Sequence, residues 1–480
     1  MGESMIKRII CIISIFFLLF SCFSIMPHAE KMPRDFTSNG NGGKTDVGTW
    51  FVTYNSGSEW LNNFGTGWPI KFRALLPDGS YGTLDSKNVE QIDFLLKQLA
   101  DAKIDFILFD HTNGGLTEEV KYGWSETGRT VDKNVRLTCE RISKWNEKHD
   151  WKIRYSIAVG VYEAIREPNN YSIGQVAEKQ AKAVYNNYFK NNTYGDDYYT
   201  IDGKPLIILH HWGYNIFTEQ GIGLNYYKGD RTYLNKFTVR NGQCGQPGTY
   251  GWDNRYGHIP HEEVYVVCPG HAVHRAEGAL PTIRREQGQW YRTGWEILLN
   301  NESPRIVMIA SFNDYHENTG VFTADTSRCK AEFDEQWVDV NGKLNASMYW
   351  DMTKEGINKL RVKNGDNIKG LDKSVAVKEG VYITVGEGVA KEPKEGAVKT
   401  TNIKVEKPKD QEKPDGSTTD DNKDDSQTDT KDSAINKNKD KKNEKTNKDA
   451  TIKIIIVIST VILLIAAGVG SYFFIFRKQK

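Results

Sequence analysis

Residues 304–321, PRIVMIASFNDYHENTGV, decide the fold class of this 480-residue chain. After a proline, the apolar and mostly β-branched run at 306–310 is typical of a strand buried on both faces. Polar and aromatic residues follow at once at 311–317, SFNDYHE. Barrel enzymes carry their chemical groups directly after such strands. We therefore predict that Asp314 and Glu317 form a catalytic carboxylate pair at the end of a central parallel strand.

The N-terminus carries a targeting pattern. Residues 1–29 combine Lys7 and Arg8 with an apolar run at 9–25 and the small residue Ala29, as in a secretory signal peptide. A lipoprotein site at Cys22 is the alternative, although Phe20 fits that motif poorly. We expect the rest of the chain to be exported.

The C-terminus predicts a membrane anchor. Residues 454–476 are uncharged and apolar, and about 20 such residues suffice to cross a bilayer. The short tail at 477–480 is basic, which favours a cytoplasmic location. We expect a single-pass cell-membrane protein whose N-terminal domain is extracellular.

Between the domain and the anchor, residues 391–450 are rich in Lys, Asp, Asn, Thr and Ser and nearly lack large apolar groups. Such a segment cannot bury enough surface to fold, so we predict a disordered charged stalk. The segment at 363–390 is either a small extension or more stalk. A formal net charge of +1 gives no sign of a nucleic-acid partner.

Strand and helix patterns alternate across residues 46–362, which predicts a parallel sheet covered by helices. A closed (β/α)8 TIM barrel and an open doubly wound sheet compete. No glycine-rich phosphate loop follows the first strand, and polar residues collect after several strands, so the barrel is favoured. The predicted strands are 46–55, 104–109, 151–161, 204–209, 264–268, 306–310 and 345–352. The predicted helices are 89–99, with a capping residue in front at 85–86, and 133–148, 174–189, 286–299 and 353–360.

At 311–319 the sequence SFNDYHENT resembles the SFNEWHEGT-type motif of glycoside hydrolase family 99 and its family 71-like relatives. Weaker similarities occur at 84–86, 104–110, 251–254, 267–270 and 348–355. The resemblance implies a (β/α)8 barrel and endo-acting, retaining hydrolysis of α-linked, often mannose-containing glycans. It also implies that Asp314 acts as a base on the sugar 2-hydroxyl and that Glu317 is the general acid and base.

The chain departs from that motif at two positions. Asp314 stands where the family has Glu, and Tyr315 stands where it has Trp. The Asp side chain is one methylene shorter, and a misplacement of about 1 Å can cost roughly 10²-fold in rate. Compensation by the backbone, a different substrate or mechanism, and an impaired site all remain open.

The residues alone also support glycoside cleavage, which needs one protonated acid and one ionised carboxylate. The opposing interpretation is a polar loop with solvated acids. We expect Asn313 and His316 to orient the pair, and Asp110 and Glu163 to bind sugar hydroxyls unless they are local caps. The candidate stacking residues are Tyr54, Trp212 and Trp252, although aromatic residues also fill ordinary cores.

Two rival functions remain. A metal-dependent surface hydrolase would use histidines such as His210, His211, His271 and His274, but no metal-binding signature is present, so we expect neither metal nor cofactor. A glycan-binding or adhesive protein on an impaired barrel is the other rival. Secretion permits disulfides, and the spacing of the mature cysteines matches no zinc pattern. These cysteines are Cys139, Cys244, Cys268 and Cys329.

Overall fold

The computed structural model describes residues 41–375, apart from 58, 61–67, 70, 114, 121–124, 273–280 and 332–334. They lie in the first of two compact units, Met1–Asn402. The predicted signal peptide, stalk, membrane span and tail lie outside the described residues, as does the part of 363–390 beyond 375. Within the described part, no helix is long and apolar enough to cross a membrane.

The described chain alternates strands and helices. The strands are β1 (Asp46–Phe51), β2 (Glu59–Trp60), β3 (Trp68–Pro69), β4 (Arg73–Leu75), β5 (Tyr81–Gly82), β6 (Phe106–His111), β7 (Arg154–Gly160), β8 (Thr200–Ile201), β9 (Lys204–His210), β10 (Thr238–Asn241), β11 (Val264–Val267), β12 (Ile306–Ile309) and β13 (Ala324–Asp325). The α-helices are α1 (Val89–Asp101), α2 (Glu126–Lys148), α3 (Tyr162–Arg166), α4 (Ile173–Val184), α5 (Gln289–Asn300) and α6 (Met348–Lys363). Shorter helical turns are Tyr185–Phe189, Gly195–Asp197, Leu234–Lys236 and Glu286–Gly288.

Seven of these strands form a curled parallel sheet in the order β10-β9-β7-β6-β1-β12-β11, and β8 adds antiparallel to β9. The last parallel strand therefore pairs with the first. The sheet edges are β10 and β11, which are consecutive in the chain. Arg240 in β10 binds Glu263, just before β11, at 2.7 Å, and the Tyr250 hydroxyl donates to the same carboxylate. The two edges thus face each other, unlike those of an open sheet.

The expected α/β architecture with a parallel sheet is confirmed, but the (β/α)8 arrangement is met only in part. The described residues supply seven parallel strands, and no α-helix separates β9 from β10 or β10 from β11. The strand expected at 345–352 is wrong, because α6 begins at Met348. Its buried residues Met352, Ile357 and Leu360 continue a helical spacing that the short aromatic run concealed. Strand β10 was not predicted.

Gly48 at the centre of β1 allows the sheet to pack tightly. A Cβ atom there would lie 2.2 Å from the Phe106 ring and 2.7 Å from the Met308 sulfur. Phe106 in turn stacks on Tyr199 with 4.0 Å between ring centroids. The absent side chain at 48 therefore makes room for an aromatic pair in the barrel interior. The cysteines of the described residues are buried free thiols, not disulfides.

A buried ion network ties α6 to the N-terminal end of the sheet. The Arg361 guanidinium, fully buried, binds the carboxylates of Asp105 and Asp366 and the backbone carbonyl of Thr45. Asp105 also accepts a hydrogen bond from the Val47 backbone N–H at 2.7 Å. This network fixes the start of β1 opposite the end of the barrel where chemistry is expected.

We predict that Arg361→Ala destabilises the protein by about 3–5 kcal/mol, because it leaves the buried Asp105 carboxylate without its partner. Urea unfolding measures the change. The control is Lys359→Ala on the same helix, whose partly exposed ion pair with Glu355 contributes less than about 1 kcal/mol. Equal losses in the two variants would contradict the structural role given to Arg361.

Candidate active site

All seven parallel strands deliver chemical groups to the same end of the sheet. In strand order they are Tyr54, Asp110, Tyr162 with Glu163, His210, Cys244, His271, and Asp314 with Glu317. Electrostatic interactions join them across the barrel. Tyr54 interacts with Asp110, Tyr162 and Asp314, and His210 interacts with Glu317. The structure therefore brings the predicted carboxylates into one cluster.

A tight turn presents the two predicted catalytic residues. The Ser311 hydroxyl bonds Thr319 at 2.9 Å and accepts from the Asp314 backbone N–H at 3.0 Å. The Asp314 Oδ1 atom accepts from the backbone N–H groups of His316 and Glu317, both at 2.9 Å. Asp314 thus caps its own turn, a role that Asp fills well because its side chain is short.

Two further contacts anchor the turn to the barrel. The Asn313 amide accepts from the Val52 backbone N–H at 2.9 Å and donates to the Val52 carbonyl at 3.0 Å. Buried Arg285 donates to the Asn318 carbonyl at 2.8 Å and the Gly320 carbonyl at 3.1 Å. Because its amide is engaged with Val52, Asn313 anchors the turn that carries Asp314 and Glu317.

The surroundings of the Asp314 carboxyl disfavour its ionised form and so raise its affinity for a proton. Burial, with only 2% of the residue exposed, raises its pKa well above the ordinary value, and the neighbouring Glu317 and Asp110 raise it further. The two backbone N–H groups oppose this rise. A carboxyl poised in this way is a stronger base than one in water.

Glu317 is the more accessible member of the pair, with 28% of its side chain exposed. Its Oε2 lies 3.5 Å from His271 Nε2, and its backbone carbonyl accepts from the Ala272 N–H at 2.9 Å. A carboxyl that touches both solvent and the carboxylate cluster is placed to exchange protons.

Asp110 and Tyr54 form the opposite wall. Asp110 Oδ1 accepts from the backbone N–H and the hydroxyl of Thr112 at 2.9 and 2.7 Å. Burial raises the pKa of Asp110. The Tyr54 hydroxyl donates to the Asp110 carbonyl at 3.1 Å, and burial next to Asp110 raises its pKa also. Asp110 is therefore both a local cap and a member of the site.

Tyr162 and His210 join the third and fourth parallel strands. The Tyr162 hydroxyl contacts His210 Nδ1 at 3.1 Å, and the Cys244 thiol lies 3.8 Å from Nε2. Burial lowers the pKa of His210 to about 3 and raises the pKa of the Cys244 thiol. Both groups are neutral near pH 7, so this pair is not a thiolate nucleophile.

The remaining predicted residues fall into different surroundings. Glu163 opens α3 and is buried, and its Oε2 has no hydrogen-bond partner among the described residues. His316 is half-buried and donates its backbone N–H to Asp314. Trp252 is buried, with its ring edge-on to Trp50 at 4.8 Å, so it belongs to the barrel interior and offers no open stacking face.

Trp212 lies on the rim, where 58% of its surface is exposed. Its ring stacks on His211 at 5.5 Å, and His211 also contacts Tyr214 and Tyr162. We call Tyr162, His211, Trp212 and Tyr214 the rim aromatics. They extend outward from His210, which interacts electrostatically with Glu317.

No cluster of three or more His, Cys, Asp or Glu side chains in the described part of the chain is arranged to hold a metal ion. His274, one of the histidines weighed for such a site, lies outside the described residues.

Sequence reasoning missed four contributors to the site: Tyr162, Asp253, His271 as a carboxylate partner, and Arg285. The available signal was position, because Tyr162 and His271 directly follow predicted strands. Asp253 and Arg285 lie in irregular segments, and nothing local reveals what they contact.

No protein-family model and no curated protein sequence matches the chain. Two solved structures of the GH99 endo-alpha-mannosidase from Bacteroides thetaiotaomicron are similar to it. The complex with BIS-TRIS-propane is 15% identical over 66% of this chain and 98% of that chain, with a TM-score of 0.42. The second structure is 14% identical over the same shares, with a TM-score of 0.41.

We predict that Asp314→Asn stabilises the protein increasingly as the pH rises from about 4 to about 7. The wild-type carboxyl has a folded-state pKa above its ordinary value of 3.8, so its ionisation costs stability as the pH rises through that interval. The limiting slope is about 1.4 kcal/mol per pH unit. Asn does not titrate and still accepts the two backbone hydrogen bonds.

Urea unfolding at several pH values measures the difference between variant and wild type. Asp339→Asn is the control of opposite sign, because backbone N–H groups lower the pKa of that exposed carboxylate. Its variant should lose stability relative to wild type only as the pH rises towards about 4, and the difference should stay nearly constant from about 4 to about 7. A flat difference for Asp314→Asn would show that folding does not raise the pKa of this carboxyl.

Proposed function

We propose that this protein is an endo-acting glycoside hydrolase, which cleaves internal bonds of α-linked, mannose-containing glycans. The observation that carries the proposal is the convergence of Asp110, Asp314 and Glu317 at the carboxyl end of a curled parallel sheet. Cleavage of a glycosidic bond requires carboxyl groups in two protonation states close together. A buried Asp314 and a more exposed Glu317 have the different surroundings that two such roles need.

The reaction proceeds in two steps. The sugar 2-hydroxyl gives its proton to Asp314 and its oxygen forms a bond to C1, while the bond from C1 to the leaving oxygen breaks and Glu317 protonates that oxygen. Water then attacks C1 and gives its proton to Glu317. The bond between C1 and the 2-oxygen breaks, and Asp314 returns its proton to that oxygen. Two displacements at C1 retain its configuration.

The raised pKa of Asp314 suits its part in this scheme, because a base with a higher pKa takes the hydroxyl proton more readily. Its Oδ1 is occupied by the turn, and its Oδ2 accepts no hydrogen bond from the described residues. We assign Oδ2 to the sugar 2-hydroxyl. The shorter Asp side chain is thus compensated by a turn that it organises itself.

Two features support binding of the rest of the glycan. The buried Oε2 of Glu163 lacks a partner among the described residues, and a sugar hydroxyl would satisfy it. The rim aromatics offer a flat apolar face of the kind on which the C–H faces of sugars stack. A chain of several sugars can therefore run from the carboxylates across the rim.

Glycan binding without cleavage is the second candidate. The observation that favours it is the engagement of Asp314 Oδ1 with backbone N–H groups, which holds the carboxyl back from the cleft. A Glu at this position reaches about one methylene farther.

We predict that Glu317→Gln lowers the hydrolysis of α-mannan by about 10²–10⁴-fold, since it removes the acid that protonates the leaving oxygen. Release of reducing ends by the full-length protein is the measurement, with a chelator present in a parallel sample. Glu90→Gln, on the surface of α1, is the matched control and should leave the rate unchanged.

Asp314→Glu separates the two candidates. If the protein is a hydrolase whose turn is organised by Asp314, the variant hydrolyses mannan more slowly than wild type. If the site is impaired by the short Asp side chain, the variant hydrolyses mannan faster. No reducing-end release by wild type or Asp314→Glu, together with retained mannan binding, would favour the binding protein. Loss of activity with the chelator alone would instead implicate a metal.

We predict that Trp212→Ala raises KM for long manno-oligosaccharides about tenfold and changes kcat little, because the ring stacks on a sugar remote from the cleaved bond. Tyr226→Ala is the control, since Tyr226 is similarly exposed and is not one of the rim aromatics. Equal KM values for Trp212→Ala and wild type would show that Trp212 does not bind the substrate.

A further inference from the structure

A line of alternating charged and polar groups runs from Glu317 away from the cleft. Glu317 Oε2 lies 3.5 Å from His271 Nε2, and His271 Nδ1 lies 3.7 Å from Asp253 Oδ2. Asp253 is held by Arg255, whose Nε lies 3.0 Å from each carboxylate oxygen. Behind the acid of the proposed mechanism there is therefore an imidazole flanked by two carboxylates.

The line is buried and well fixed. His271 and Asp253 are 4% and 2% exposed, respectively. The backbone of His271 pairs with that of Ile283 in both directions at 3.0 Å, and the next residue, Ala272, donates to the Glu317 carbonyl. The same short segment thus positions both the imidazole ring and the backbone of Glu317.

The ring has no other evident task. His271 Nδ1 is buried and makes no hydrogen bond within the described residues, since its distance to Asp253 is slightly too long for one. Catalytic hydrogen bonds are often long without substrate and shorten when it binds. An imidazole between two carboxylates can orient one of them while the other fixes the ring.

We propose that His271, oriented by Asp253, is the positioning residue of Glu317. This assignment rests on the proposed function of Glu317 as acid and base. His271 Nδ1–H donates to Asp253 and Nε2–H donates to Glu317 Oε2. The transferable proton of Glu317 is thereby confined to Oε1, which faces the leaving oxygen, and the hydrogen bond from Nε2–H stabilises the carboxylate left after transfer.

The titratable groups around Glu317 include two other carboxyls. Glu317 faces the carboxyls of Asp110 and Asp314, the neutral His210 and the thiol of Cys244. Asp253 is already paired with Arg255. Without the ring, transfer of the Glu317 proton would leave a carboxylate that faces two other carboxyl groups.

The kinetic test compares two leaving groups in the full-length protein. We expect His271→Gln to slow α-mannan hydrolysis about 10²-fold but to slow α-mannobiosyl fluoride hydrolysis less than about fivefold, because fluoride leaves with little help from an acid. Asp253→Asn should act in the same direction. His258→Gln is the control, as His258 is another buried histidine and binds Asn254 rather than a carboxylate. Equal slowing of both substrates by His271→Gln would overturn the proposal.

A spectroscopic test separates this proposal from the proposed function. ¹⁵N NMR of histidine-labelled full-length protein, with the His271 signals assigned by their loss in His271→Gln, requires no substrate. We expect the ring-nitrogen signals of His271 to shift in Glu317→Gln, because Nε2 loses its carboxylate partner. A His271 ring that is unaffected by Glu317→Gln would overturn the positioning role. Absent hydrolysis with an intact NMR response would instead overturn only the proposed function.

Discussion

The two hydrogen bonds between the Asn313 side chain and the backbone of Val52 are the constraint on which the site depends. They join the turn after β12 to the continuation of β1, where the last parallel strand meets the first. The amide supplies one donor and one acceptor to a backbone segment beyond the ladder, and buried backbone groups need such partners. With this point fixed, Asp314 and Glu317 face groups that follow β1, β6, β9, β10 and β11.

The cluster that results is costly for the folded state. Three carboxyl groups lie close together, two of them buried, and burial raises the pKa of Asp110 and Asp314. Backbone N–H groups and the hydroxyl of Thr112 offset part of that cost. Perturbed carboxyls gathered at the carboxyl ends of parallel strands are more typical of an active site than of a structural network. At the opposite end of the barrel, the carboxylates around Arg361 are paired with a cation and serve stability.

Local pattern was sufficient to predict the strands that form most of the sheet, four of the longer helices, and the strand end that Asp314 and Glu317 follow. It also placed Asp110 and Glu163 at strand ends, where they lie. It failed where the outcome depends on distant contacts. Trp252 looked like a loop aromatic, yet it packs against Trp50, about 200 residues away in sequence. The pairing of His271 with Asp253 and Glu317 joins three separate segments, and no spacing within one segment encodes it. The predicted helix was shorter than the observed helix Met348–Lys363, because the aromatic residues of its first turn are also typical of a strand.

The most direct measurement is a crystal structure of the Glu317→Gln protein with a bound α-linked manno-oligosaccharide. The account predicts one glycosidic oxygen within hydrogen-bond distance of the side-chain amide introduced at position 317, the adjoining sugar 2-hydroxyl at Asp314 Oδ2, and outer sugars across the ring of Trp212. An oligosaccharide bound only at the rim, or elsewhere on the surface, with no glycosidic oxygen near position 317, would contradict the assignment of this cluster as a glycosidase site.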